Sequence, residues 1–298
     1  MAGKGESWLR SESAQGYALI SPPFLYAVLL LAAPLVTILA YSFFQDGYLT
    51  VVHEFTLQNY IATWTDPIFR VILVRSLFVA GLVTLITVAL AFPIAYYLSF
   101  GLAPNQKARW IFLITIPFWT SYLIRVFLWK VILGYNGVIN STLESIGIIG
   151  PNGLIADPLQ MLNSVGAIAL TLAHAYAPFA ILPIFVSLEK IDRSLLEAGQ
   201  DLGESRWRTF LRVTLPLAMP GVVAATLIVF IPTVGDYVTP ELIGGGKMPM
   251  VANLIQAQML PLDNRPMGSA IAVSSLLVVA ALSLVFLWLN RRFLKVGK

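Results

Sequence analysis

Apolar residues fall into long blocks separated by shorter polar or glycine-rich stretches. A membrane-spanning helix needs about 20 apolar residues. Six stretches meet that length, at roughly 22–44, 71–100, 109–134, 164–188, 214–236 and 269–290. The pattern predicts an all-α membrane protein with six transmembrane helices. Pro22 and Pro23 are expected at the start of the first helix, where a missing N–H costs least. Pro34, Pro93, Pro117, Pro178, Pro183, Pro220 and Pro232 fall inside the runs. A helix bundle in lipid tolerates them because neighbours satisfy the freed carbonyls, and local bends are expected there. One polar interruption stands apart. Residues 189–213 carry Glu189, Lys190, Asp192, Arg193, Glu197, Asp201, Glu204, Arg206, Arg208 and Arg212, with Leu195, Leu196, Leu202, Trp207, Phe210 and Leu211 at helical spacing. That is an amphipathic helix with a turn at Gly203. Gly199 and Gly203, four apart, are read as a flat strip where another surface can approach.

Composition supports the same class. Of 298 residues, 58% are hydrophobic and 11% charged, and the mean hydropathy is +0.80; a soluble domain carries about 25% charged residues. No cysteine is present, which excludes disulfides and thiolate metal sites, and His53 and His174 are too few for a multi-histidine metal centre. The net charge of +4 reports orientation and calls for no nucleic-acid partner. Lys4, Arg10, Lys107, Arg109, the cations of 189–213, and Arg291, Arg292, Lys295 and Lys298 fall on one side of a six-span topology. The positive-inside rule then places residues 1–16, the 189–213 loop and the 291–298 tail in the cytoplasm, with 1–298 as a single transmembrane domain. The first apolar run reads as a retained helix, not a cleaved signal. No repeat relates the two halves, and the half-apolar stretch 249–260 is too short to span and reads as a short interfacial helix.

Catalytic motifs are missing. Gly246-Lys247 is followed by Met248, and Glu241 stands where a P-loop needs glycine. The chain is therefore expected to be no enzyme and to hold no cofactor or metal. Several side chains are candidates for a transport path. Asp236, Tyr237 and Glu241, just beyond the fifth run, are either solvated loop residues or two acids and an aromatic suited to an organic cation. Trp119 and Tyr122 either line the path or pack. On a straight third helix Arg125 and Lys130 lie ~24 and ~31 Å beyond Arg109, which makes them snorkelling anchors, as is Arg75. His174, near mid-membrane, is expected to hydrogen-bond a neighbouring helix.

The polar loop also carries a motif. Glu197-Ala198-Gly199, three residues, Gly203, nine residues and Val213-Thr214-Leu215-Pro216 resemble the Glu-Ala-Ala…Gly…Ile-x-Leu-Pro loop of binding-protein-dependent ABC importer permeases. Gly199 replaces the second alanine and Val213 the isoleucine. PFWTSYLIRVFLWKVIL at 117–133, FTLQNY at 55–60, LEKID at 188–192 and FIPTVGDYVTPELIGG at 230–245 resemble the polyamine branch, the B-type and H-type permeases of spermidine and putrescine importers. Permeases for aminophosphonates, opines, thiamine or ferric iron share much of the pattern.

The resemblance implies a type I ABC importer permease fold in the bacterial inner membrane. It also implies a second permease subunit, favoured as a different chain, and a periplasmic or lipid-anchored substrate-binding protein. Two copies of an ABC ATPase would hold ATP and Mg. Glu197, Ala198, Gly199, Gly203, Leu215 and Pro216 would form the ATPase-coupling element. Asp236, Tyr237, Glu241, Trp119 and Tyr122 remain a reading of the residues themselves. An ion-coupled carrier acting alone is the other class; it predicts internal repeats and mid-membrane acids, and neither is in the sequence.

Overall fold

A computed structural model describes residues 12–47, 50–151 and 153–294. Lys4, Arg10, Lys295 and Lys298, used above for orientation, lie outside the described residues. Helices dominate. Five are long and apolar enough to cross a membrane, and a bent helix pair makes a sixth candidate span.

The chain forms two compact units, one made of residues up to Thr65 with Gln258–Ser274, the other of Asp66–Ala257 with Ser275 onward. In the first unit, α1 (Glu12–Tyr41) begins well before the expected start. Pro22 and Pro23 lie inside it, not at its first turn. Its apolar side chains, such as Phe24, Leu29 and Leu35, are exposed, as suits a surface facing lipid. A two-stranded antiparallel hairpin follows, β1 (Gln45–Gly47) and β2 (Thr50–Val52), then α2 (Gln58–Thr65). Asn59 ties this corner together, donating from Nδ2 to the carbonyls of Ser42 at 3.1 Å and Phe44 at 2.7 Å.

The second unit is built on α3 (Pro67–Tyr96), α7 (Val165–Glu189) and α10 (Leu215–Val234), which pack on one another. Their shared faces are rich in small residues. Ala80, Ala91, Ala95, Ala169, Ala180, Ala218 and Ala225 are almost wholly buried. Lipid tails are as apolar as leucine, so helices associate through close packing, and small side chains allow it. Gly221 marks the closest approach. A Cβ there would collide with the Pro183 carbonyl oxygen and the Ser187 hydroxyl on α7.

Between α3 and α7 the expected straight third span is broken. After a π turn at Tyr97–Gly101 come α4 (Pro104–Thr115), a 3-10 turn at Ile116–Trp119, and α5 (Tyr122–Ile132). The two limbs meet at 87°. Pro117 starts the 3-10 turn, and Thr120 is extended with φ −87° and ψ 147°, so no helical ladder runs through. The bend corrects the reading of Arg125 as a snorkelling anchor: its side chain is buried. α6 (Val138–Ser145) then leads to α7.

Beyond α7 lie α8 (Arg193–Asp201) and α9 (Arg206–Thr209), with a π turn at Phe210–Thr214 entering α10. α11 (Val238–Leu242) and α12 (Val251–Met259) follow α10; α12 is the short helix expected near 249–260. α13 (Arg265–Leu289) and α14 (Arg291–Leu294) end the described chain.

Candidate functional site

The polar loop folds as two short helices with a left-handed turn between them. Asp192 caps α8, accepting from the Ser194 N–H at 2.9 Å. That bond holds the Asp192 carboxyl below the usual carboxylate range. Gly203 takes φ +80°, a conformation that strains any side chain with a Cβ, yet a Cβ placed there meets nothing within 4 Å. Gly199 plays a different part from the one expected. A Cβ there would lie 3.1 Å from the Thr209 methyl, so its smallness lets α8 close onto α9 within the loop.

Glu197, Ala198 and Gly203 are exposed, and Leu202 and Trp207 are 85% and 67% exposed. Leu215 and Pro216 are half-buried at the start of α10. The loop thus presents an acid beside two large apolar groups. It is also anchored from behind. Lys107 donates to Glu189 at 2.5 Å and to the Ser99 carbonyl at 2.8 Å. Arg193 donates to the same carbonyl at 3.2 Å. Ser99 sits in the π turn that ends α3, where a widened helix turn leaves carbonyls free for such donors. Glu204 pairs with Arg212 across the turn. An aromatic series carries contact inward: Trp207 stacks on Phe210, and Phe210 meets Phe92 of α3 edge-on at 5.6 Å between centroids.

The second cluster lies where α5 and α11 meet. The Tyr122 hydroxyl shares a hydrogen bond of 2.7 Å with the Thr239 hydroxyl. Asp236 follows α10 and caps α11, accepting from the Val238 and Thr239 N–H groups at 3.1 and 3.3 Å. It is 6% exposed. Burial raises its carboxyl above the usual range, partly offset by hydrogen bonds from Thr239, Tyr122 and the backbone of Val238 and Thr239. Tyr237, Glu241 and Trp119 are exposed. The five candidates therefore split: Asp236 and Tyr122 share one buried network, while Tyr237, Glu241 and Trp119 face outward.

Sequence reading missed several members. Arg125 donates to the Ala175 carbonyl at 3.2 Å, in the turn that Pro178 leaves short of a donor, and lies 5.9 Å from the Tyr122 ring centroid. Trp129 donates to His174 Nδ1 at 3.1 Å, the inter-helix bond expected of that histidine. Asn253 donates to the Tyr237 carbonyl at 2.9 Å. The available signals were the spacing of Tyr122, Arg125 and Trp129, which puts them on one face of a helix, and the separation of Asp236 and Thr239, which suits a helix cap.

Residues 18–295 match the family model described as "binding-protein-dependent transport system inner membrane component". The chain is 34% identical over 269 residues to the spermidine/putrescine transport system permease protein PotB of Haemophilus influenzae, covering 90% of this chain and 91% of the relative. It is 30% identical to the inner membrane ABC transporter permease protein YdcU of Escherichia coli, covering 89% and 86%. Among solved structures, it matches a chain of a bacterial alginate ABC transporter in complex with an alginate-pentasaccharide-bound periplasmic protein. The TM-score there is 0.73 over 95% of this chain and 96% of the other, at 17% identity, a likeness of fold.

Proposed function

This chain belongs to the inner membrane components of binding-protein-dependent transport systems, as a multi-pass permease subunit of an ABC importer, and on that footing we propose that it moves a polyamine inward by alternating access. The observation that carries the cargo assignment is 34% identity, running through nine-tenths of the chain, to a spermidine/putrescine permease. Residues 1–298 act as one permease domain with both termini and 189–213 in the cytoplasm. A second permease, expected to be a different chain, completes the path, two ATPase copies bind ATP and Mg below it, and a substrate-binding protein delivers cargo above.

The loop's geometry supports coupling. Glu197 is free of internal ion pairs among the described residues, so its carboxylate is available to a cation on the ATPase. Leu202 and Trp207 supply apolar area beside it. Leu215 and Pro216 join this surface to α10, which ends next to Asp236. One helix therefore links ATPase to outer mouth over about 30 Å, the thickness of the hydrocarbon core.

At the mouth, Glu241 and Tyr237 offer an acid and an aromatic face to an ammonium group. Contact there must be weak for cargo to pass on, and water at the mouth provides the screening. The test is direct. The cognate binding protein is titrated with putrescine and spermidine, and uptake of whichever binds is measured in proteoliposomes with and without the ATPase. ATP-dependent polyamine uptake is the expected result. Binding of an anionic solute instead would end the polyamine assignment. ATP-independent uptake by this chain alone would favour an ion-coupled carrier.

A further inference from the structure

α5 is joined to its neighbours unequally. Toward α7 it makes two side-chain hydrogen bonds, Arg125 to Ala175 and Trp129 to His174, with Val126 fully buried between them. The 87° bend at extended Thr120 separates it from α4. Toward α11, one side-chain hydrogen bond is described, Tyr122 to Thr239 at 2.7 Å, and Thr239 has no exposed surface. α11 itself is only five residues long. It is flanked by Gly235 on one side and by Gly244, Gly245 and Gly246 on the other; the last two take φ +58° and +69°. Glycine on both sides lets a short element swing without steric penalty.

We infer that Tyr122 is a positioning residue for transport: its hydroxyl latches α5 to α11 and keeps the outer mouth shut until the ATPases draw the coupling loop inward. The inference rests on the importer reading above. Asp236 gives the latch its use. In the latched state this acid is sheltered, capping α11 and hydrogen-bonded by Tyr122 and Thr239. Swinging α11 away from α5 would strip the Tyr122 bond and rehydrate the carboxylate. An acid that water reaches only in the open state can greet a cation there and nowhere else in the cycle, so affinity rises and falls with the gate.

The experiment uses the assembled transporter in proteoliposomes and reads ATP hydrolysis with neither binding protein nor cargo added. Tyr122→Phe removes one hydroxyl and keeps the ring. Losing a buried hydrogen bond shifts a closed-to-open equilibrium by on the order of fivefold, so hydrolysis without binding protein is expected to rise about fivefold. Thr239→Val, close in shape, is expected to do the same, and the Tyr122→Phe/Thr239→Val double variant no more than either alone. Thr239→Ser keeps a hydroxyl and is expected to behave as the parent. Should Tyr122→Phe fail to assemble, the Thr239→Val and Thr239→Ser pair decides by itself. Parent-level hydrolysis in the hydroxyl-deleted variants overturns the latch, as does a double variant whose effect is the product of the singles. Neither outcome depends on what the cargo is.

Discussion

The coupling loop and the outer mouth are built on opposite principles. At the loop, Glu197, Leu202 and Trp207 face solvent, and its internal bonds run backward, from Lys107 and Arg193 to the end of α3. At the mouth, Asp236, Thr239 and Tyr122 turn inward and satisfy one another. The loop is organised for something outside the chain, and the mouth for its own closure. An exposed acid is free to meet a partner at little desolvation cost, whereas a buried acid must first be uncovered. The first arrangement suits a permanent docking surface, and the second a site that works in one state only.

The largest expected effect breaks the loop side. Gly203→Leu forces a branched side chain into φ +80°, which costs about 1–2 kcal/mol. It also raises a bulge on the docking face, since nothing within 4 Å stands in the way inside this chain. Substrate-stimulated ATP hydrolysis is expected to fall more than about tenfold, with the chain still inserted in membranes. Glu197→Ala comes next. The side chain is exposed, so thermal stability should hold while stimulated hydrolysis falls about three- to tenfold through loss of one charge-assisted bond. Equal losses of stability and coupling in this variant would place Glu197 inside the fold's own support.

The mouth is sharpened by pH. Burial raises Asp236 above the usual carboxylate range, so the folded state holds this proton more tightly than the unfolded chain. Stability is therefore greatest below the ordinary carboxylate range and declines as pH rises through the raised value. Asp236→Asn should flatten that decline, lifting Tm at neutral pH by about 2–4 °C if the relief is about 1 kcal/mol. A drop in Tm with the pH slope unchanged would mean that the cap to α11 matters more than the desolvated charge. The smallest effect belongs to Glu241→Gln. This acid is exposed, so uptake of a polyamine should slow by less than about twofold and the difference should fade at high salt.

Much of this was legible in the chain. Long apolar runs announced the spans, and the Glu197-to-Pro216 spacing marked the loop before any coordinates. Two errors have physical causes. Hydropathy is blind to direction, so 109–134 read as one straight helix although Pro117 and extended Thr120 turn it by 87°. That error carried Arg125 to the membrane surface, when it is packed against α7. Pro22 and Pro23 were taken as a helix start, but α1 runs through them, as helices in lipid can. The partnership of Tyr122 with Thr239 spans 117 residues of sequence, and no local pattern reports contacts of that range. Gly199 and Gly203 looked alike in sequence; only backbone geometry separates the one that admits Thr209 from the one that takes a positive φ.

The central claim is that the 189–213 loop is a cytoplasmic docking surface for the ATPase. The chain has no cysteine, so Leu202→Cys, at the most exposed apolar position of the loop, gives a single reporter. Its reaction with a membrane-impermeant maleimide is measured on intact cells and on inside-out vesicles, with and without bound ATPase. The account predicts no labelling in intact cells, ready labelling in stripped vesicles, and marked slowing once the ATPase is restored. Labelling from outside intact cells, or a rate in vesicles indifferent to the ATPase, would contradict it.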